Sequence, residues 1–290
     1  MTSIESRTQI GSGVRRLKAG RWTLEDDVLA AEEPLEIRLI WPEGRKTVTK
    51  SIAITMRTPG NDFELAAGFL FGEGIITGRE DVADISYCVD EEALQAGQTF
   101  NIVTVTLRPG LVFDASKLER NFYTTSSCGV CGKAALEALE VQGCAVLPDG
   151  PSVRPDVISD LPQKLRSAQA VFERTGGLHA AGLFDDEGRL TSLREDVGRH
   201  NAVDKLIGEQ VLEGATALSE SILMLSGRAS FELLQKALVG RIPVVAAVGA
   251  PSSLAVELAN TYNVTLCGFV RADGFNVYSA PERIEGALEG

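Results

Sequence analysis

Between Ile222 and Val270 three short apolar runs alternate with two helical ones, and this order constrains the fold more than anything else in the chain. Ile222–Leu225, Val244–Val248 and Val264–Val270 read as strands, while Ala229–Val239 and Leu254–Tyr262 read as helices. A βαβαβ run with connections this short predicts a parallel sheet with right-handed crossovers. Upstream, Leu178–Phe184 and Arg189–Leu193 flank the turn Asp185-Asp-Glu-Gly188 as a hairpin. Helical patterns cover Leu165–Arg174 and run from Gly198 to Val211. The C-terminal part is therefore expected to be α/β.

The earlier part is patterned differently. Strands are expected at Leu35–Trp41, Val48–Thr55 and Phe100–Leu107. Between the second and third, Pro59-Gly60-Asn61-Asp62 stops a strand and starts a helix. Asn61 stands at the N-cap, Glu64 three residues on, and Leu65, Phe69 and Leu70 form an apolar face. This makes a smaller N-terminal α+β portion. Residues 1–20, polar and basic around Arg15, Arg16 and Lys18, read as a loose tail, and the proline-rich stretch 145–162 reads as a connector. The expected division is a tail over 1–20, an α+β portion over 21–122 and a larger domain over 123–290, with a loop at 121–133.

Charge narrows the function. The balance 28 − 40 = −12 argues against nucleic acid or an anionic membrane as a partner bound through a basic field. The 44% hydrophobic and 23% charged fractions are those of a soluble globular protein with a sizeable core. Five cysteines, only two of them close together, do not form a disulfide framework, and the N-terminus lacks an apolar signal region. A cytoplasmic location follows as the expectation.

The βαβαβ run carries its own site prediction, because ligands of open parallel sheets sit beyond the carboxyl ends of the strands. Three successive ends carry Ser226-Gly-Arg228-Ala-Ser230, Gly249-Ala-Pro-Ser252-Ser253 and Arg271-Ala272-Asp273-Gly274. Small residues let a ligand approach the backbone, helix N-termini supply free amides, and Arg228 and Arg271 can hold phosphate in paired hydrogen bonds. A phosphate or pyrophosphate site is expected, with helix capping as the plain alternative for the serines. No Gly-x-Gly-x-x-Gly or Walker sequence is present.

Both histidines fall in polar words, Thr175-Gly-Gly-Leu-His179 and Glu195-Asp-Val-Gly-Arg-His200-Asn-Ala-Val-Asp-Lys205. At a helix N-terminus His200 would be held neutral and able to accept a proton. The competing reading is structural, with Glu195 or Asp196 paired to Arg199 and Asp204 or Lys205 on a solvated face. His179 reads as a satisfied, partly buried residue.

The chemically loudest word is Ser127-Cys128-Gly-Val-Cys131-Gly132, just ahead of the helical pattern Lys133–Glu140. Helix amides and the helix dipole beside a thiol favour the nucleophilic thiolate. Structural zinc normally takes four ligands, but Cys88, Cys144 and Cys267 are isolated in apolar surroundings and read as small buried hydrophobes. A deaminase-type zinc would need a His-x-Glu word, which neither histidine provides. No resident metal is expected. Thiolate chemistry remains, with Cys128 as the candidate sulfur carrier and Cys131 as its assisting thiol.

From about Ile52 to the C-terminus these words together resemble the formate dehydrogenase accessory sulfurtransferases, the FdhD family. The matching stretches are Met56–Gly74, Ser127–Gly132, Arg174–Ala181, Glu195–Lys205, Leu225–Ser230 and Gly249–Ser253. The resemblance implies a sulfur carrier that takes persulfide sulfur from a cysteine desulfurase. It would pass that sulfur to the molybdenum or tungsten of a bis-(molybdopterin guanine dinucleotide) cofactor, activating formate dehydrogenase. It also implies a three-layer core similar to cytidine deaminases but without their zinc, and a homodimer. The sulfur-carrying cysteine maps onto Cys128 and the guanine-dinucleotide site onto Phe269-Val270-Arg271-Ala272-Asp273-Gly274, with His200, Arg228, Ser230, Ser252 and Ser253 nearby on the strand-end reading. The rival function is a chaperone that binds the same cofactor without covalent sulfur chemistry.

Overall fold

A computed structural model describes residues 8–44, 46–88, 100–111 and 144–289. The expected sulfur loop 121–133, with Cys128 and Cys131, and the helical pattern Lys133–Glu140 lie outside these residues. No helix among the described residues is long and apolar enough to cross a membrane.

Three sheets organise the chain. The first is a hairpin of β1 (Gln9–Lys18) and β2 (Arg21–Ala30), standing where a loose tail was expected. Its two-residue turn is Ala19-Gly20, both at positive φ (50° and 78°), the geometry that matches the twist of paired strands. The tail reading missed it because alternation on an exposed hairpin is weak: Leu17, Trp22 and Leu24 all remain exposed.

The second sheet has the order β4-β3-β6-β5, from β3 (Glu33–Glu43), β4 (Lys46–Arg57), β5 (Val82–Tyr87) and β6 (Ile102–Leu107). β3 and β6 run parallel and the outer pairings are antiparallel. Helix α1 (Asp62–Gly72) starts where Pro59–Asp62 predicted. Asn61 adopts a left-handed φ of 56° and does not cap α1 through its oxygen; its amide instead donates to the Glu64 carboxylate at 2.9 Å.

The third sheet has the order β12-β11-β10-β9-β7-β8. The hairpin β7 (His179–Phe184) and β8 (Leu190–Asp196) leads into α4 (Arg199–Leu212). The alternating run then appears as β9 (Ile222–Leu225), α5 (Phe231–Val239), β10 (Val244–Ala247), α6 (Ser253–Thr261) and β11 (Thr265–Arg271). β9, β10 and β11 are parallel, as the spacing required. The added edge strand β12 (Gly274–Ser279) folds back antiparallel on β11.

The connector ends earlier than expected. α2 (Pro155–Ala168) begins at Pro155, whose missing N–H costs nothing at the first helical position. A short α3 (Ala170–Thr175) follows, and Gly176 ends it in the left-handed conformation.

Strand pleating sorts the third sheet into two faces. Ile222, Met224, Val244, Ala246 and Cys267 pack with Val157, Ile158, Leu161 and Leu165 of α2. Leu223, Leu225, Val245, Ala247 and Leu266 face the other way, into a core shared with α1, α4, α5, α6 and the second sheet. Each of the larger side chains, Val, Leu, Ile and Met, contributes about 1.5–3 kcal/mol through burial.

Within this shared core α1 crosses α4 backbone to backbone. A Cβ on Gly68 would overlap the Asp204 carbonyl, and one on Gly208 would overlap the Glu64 carbonyl and lie 2.6 Å from the Gly68 nitrogen. Only glycine permits an approach this close.

A buried polar network holds the same joint. Arg57, fully buried, makes a two-pronged bond to Asp62 at 3.0 and 2.9 Å. Asp196 accepts from Thr58 N–H at 3.1 Å, Gly198 N–H at 2.8 Å and the Asn201 amide at 3.1 Å, and pairs with Lys205 at 2.7 Å. Lys205 also donates to the Thr58 carbonyl at 2.8 Å. The solvated-face reading of Asp204 and Lys205 is thus corrected, since they are 3% and 1% exposed. Asp204 pairs with Lys236 at 2.6 Å. Asp196 pairs with Lys205 rather than Arg199, and Glu195 instead accepts the Val171 and Phe172 amides at the start of α3.

Removing one member of such a buried pair strands a charge. Lys205→Met is expected to lower the unfolding free energy by about 3–5 kcal/mol, measured by urea denaturation, with Asp196→Asn/Lys205→Met costing less than Lys205→Met alone. An equal or larger loss in the double variant would refute the pairing.

Candidate functional site

The parallel order of β9, β10 and β11 brings their carboxyl ends to one edge, as the sequence implied. The loops interlock there. Gly249 N–H donates to Gly227 O at 2.8 Å, Ala229 N–H to Ala250 O at 3.2 Å, and Phe269 N–H to Gly249 O at 3.2 Å. Small residues do this because the loops touch: a Cβ on Gly249 would lie 2.9 Å from the Arg228 Cα and Cγ.

Arg228 and Arg271 are both exposed and flank the same strand end. Arg228 packs over Gly249, and Arg271 Nη1 donates to the Val248 and Val270 carbonyls at 2.7 Å each. The edge at Phe269–Gly274 is irregular. Phe269 sits at φ 54° beside a register shift, so β11 bends and leaves its ring exposed. Ala272 and Asp273 form the exposed turn between β11 and β12, and Gly274 opens β12. Val270 departs from the expectation: its side chain is fully buried in the α2-facing core, which leaves its backbone to face the edge.

The serines divide between the two readings. Ser252 caps α6 by accepting the Ala255 amide at 3.2 Å, and Ser253 is exposed beside it. Ser230 occupies the same position before α5 but makes no capping bond. Its hydroxyl instead meets His200 Nε2 at 3.2 Å, and Glu232 lies 3.6 Å from the same nitrogen. Through its bond to His200, Glu232 is held at a pKa of about 2.

His179 joins this group, which sequence reasoning did not foresee. β7 runs antiparallel to β9, so its first residue lies beside the last loop of β9, and a Cβ on Gly227 would come 3.4 Å from His179 Nδ1. Burial lowers the His179 pKa, and the charges of Arg199 and His200 lower it further. The strand pairing that could have revealed this, β7 against β9, is not written in any local motif.

Two cavities lie away from this edge. One of about 160 Å³ opens among Thr58, Asn61, Leu178, Arg194 and Glu195. The other, of about 240 Å³, is lined by Phe71, Ile76, Cys144, Leu147, Leu238 and Arg241. The strand-end edge, a ledge of three interlocked loops, lines neither of them.

Among the described residues, two of the three thiols are placed against reactivity. Cys267 is buried in the sheet and its pKa is pushed up to about 12, and partial burial raises Cys144. Cys88 lies 3.9 Å from an Arg38 guanidinium nitrogen.

Comparison with known proteins places this architecture. The sequence profile described as FdhD/NarQ family matches residues 30–285. A sulfur carrier protein FdhD of Streptomyces avermitilis is 52% identical over 93% of this chain and 94% of its own. The one from Streptomyces coelicolor is 51% identical with the same coverage. A crystal structure from Desulfotalea psychrophila, described as a formate dehydrogenase accessory protein, superposes with a TM-score of 0.70 at 26% identity, covering 96% of this chain and 99% of that one. With the family profile spanning nearly the whole chain and relatives at half identity, the chain belongs to the FdhD/NarQ family.

Proposed function

We propose that this chain is a sulfur carrier that takes sulfur from a cysteine desulfurase as a persulfide on Cys128. It then passes that sulfur to a bis-(molybdopterin guanine dinucleotide) cofactor bound along the strand-end ledge. Sulfur carriage with an accessory role toward formate dehydrogenase follows from family membership, and the near-complete match to sulfur carrier proteins is the observation that carries it. The cofactor, the desulfurase, the sulfurtransferase activity and a cytoplasmic homodimer are the finer reading.

The ledge supports the cofactor part through its chemistry. Arg228 and Arg271 flank one strand end, Ser230 is not used for capping, and Phe269 offers an exposed ring. Guanidinium groups pair with phosphate oxygens, and an aromatic face can stack on a purine. When bound, the cofactor supplies the metal that receives the sulfur. The protein's own part is to hold its phosphates and present the thiol. A core similar to that of cytidine deaminases belongs to the same reading; the six-stranded sheet with α2 on one face and α4, α5 and α6 on the other is compatible with it.

The test is mass spectrometry of the Cys128–Cys131 peptide after incubation with a desulfurase and cysteine. A gain of one sulfur atom on Cys128 supports carriage. No gain, with cofactor still bound, would favour the non-covalent chaperone.

A further inference from the structure

The chain has two histidines, and both lie at this one edge of the sheet. Arg199, the first residue of α4, directly precedes His200, and its charge also acts on His179. Its Nε is shielded from solvent and makes no hydrogen bond among the described residues. The nearby carboxylates are already engaged. Asp196, the register partner of His179, serves Lys205, Thr58, Gly198 and Asn201, while Glu232 serves His200. The amides of Gly227 and Arg228, next to His179, likewise have no backbone partner among the described residues. A group of unfilled donors therefore lies at the β7 end of the ledge, three strand spacings from the β11 end that carries Arg271.

We propose that Arg199, His179 and the Gly227–Arg228 amides form an anion subsite that takes a phosphate group of the dinucleotide cofactor. The proposal rests on the cofactor reading above and adds residues to it. Guanidinium, imidazole and paired amides together suit a phosphate oxyanion, whose charge-assisted bonds would occupy the idle donors. Glu232 acts as a positioning residue, holding His200 against Ser230 at the rim.

The subsite predicts a direction with pH. The charged groups acting on His179 are Arg199 and His200 on α4 and Asp196 on β8. Burial, Arg199 and His200 hold the His179 pKa below its usual value, so the empty site keeps this ring neutral near pH 7. A bound anion offsets the positive neighbours and raises that pKa. Binding then takes up a proton, and affinity rises as pH falls from 8 to 6.

The experiment uses the full chain labelled with ¹⁵N and inorganic pyrophosphate as the probe. With two imidazoles in the chain, a His200→Gln comparison assigns both signals. Pyrophosphate is expected to move the His179 signal toward the protonated form and to raise its titration midpoint. Arg199→Gln should weaken pyrophosphate binding about tenfold, the scale of one hydrogen bond to a charged group. Arg199→Lys, which keeps the charge but not the fork, should lie between. The proposal is overturned if pyrophosphate fails to bind, if it binds with the His179 signal unmoved, or if a folded Arg199→Gln binds it like the parent. Should Arg199→Gln not fold, the His179 shift in the parent decides. Guanosine monophosphate separates the two readings. Binding that leaves His179 unmoved removes the subsite and keeps the cofactor reading; failure to bind while pyrophosphate moves His179 does the reverse.

Discussion

Cys128→Ala is expected to leave formate dehydrogenase without activity above background while the variant itself accumulates as folded protein. The size of the effect rests on two of the described thiols, Cys267 and Cys144, being badly placed to substitute. Cys267 is buried in the sheet, and that burial pushes its pKa up to about 12, so the thiol form dominates at pH 7. Cys144 is raised by partial burial and lies at a cavity away from the strand-end ledge. Neither can replace a nucleophile that must meet both a donor and a cofactor. The measurement is formate dehydrogenase activity in cells that carry the variant as their sole copy. Near-normal activity would sink the assignment of Cys128, and persulfide mass found on Cys131 instead would move the carrier role by three positions without changing the function.

Gly208→Ala should cause the largest loss of stability of any glycine-to-alanine change among the described residues. The added carbon would overlap the Glu64 carbonyl and lie 2.6 Å from the Gly68 nitrogen, so two helix backbones must separate rather than one side chain turn. Overpacking of this kind costs about 1–3 kcal/mol or more, a large part of the roughly 5–15 kcal/mol that holds a domain folded. The loss would spread because α4 carries Asn201, Asp204 and Lys205 into the buried network. Urea midpoints measure it. Gly68→Ala touches the same crossing, so the double variant should lose less than the sum of the two. Gly11→Ala on β1 has open space around it and should shift the midpoint little. A Gly208→Ala midpoint equal to that of Gly11→Ala would refute the contact.

The sequence made the third sheet legible because its strands are short apolar runs separated by helical ones, and all three parallel strands appear within a residue or two of their expected limits. The additional strands β1, β2, β5 and β12 were missed. β1 and β2 expose most of their side chains, and β12 is an edge strand with only Ser279 buried, so the apolar alternation that marks a strand is faint there. At the site, loop composition located the row of strand ends, since small residues must stand where the backbones of the loops touch. What could not be read was long-range pairing. Asp196 looked like a partner for Arg199, three residues away, and its true partners Thr58 and Lys205 follow only from the packing of α1 and β4 against α4. His179 was set aside for the same reason: its neighbours come from a strand that lies far along the chain.

The joint between α1 and α4 also bears on how such a chain can change over generations. Gly68 matches Gly208, and Thr58 matches Asp196 and Lys205, so each side of the joint is correct only in the presence of the other. A recombination crossover anywhere between Gly72 and Asp196 would join an α1 from one parent to an α4 from another. The chimera would inherit a glycine facing a side chain unless both parents already agreed at these positions. The two segments are thus linked as one unit of inheritance, although more than a hundred residues of sequence separate them.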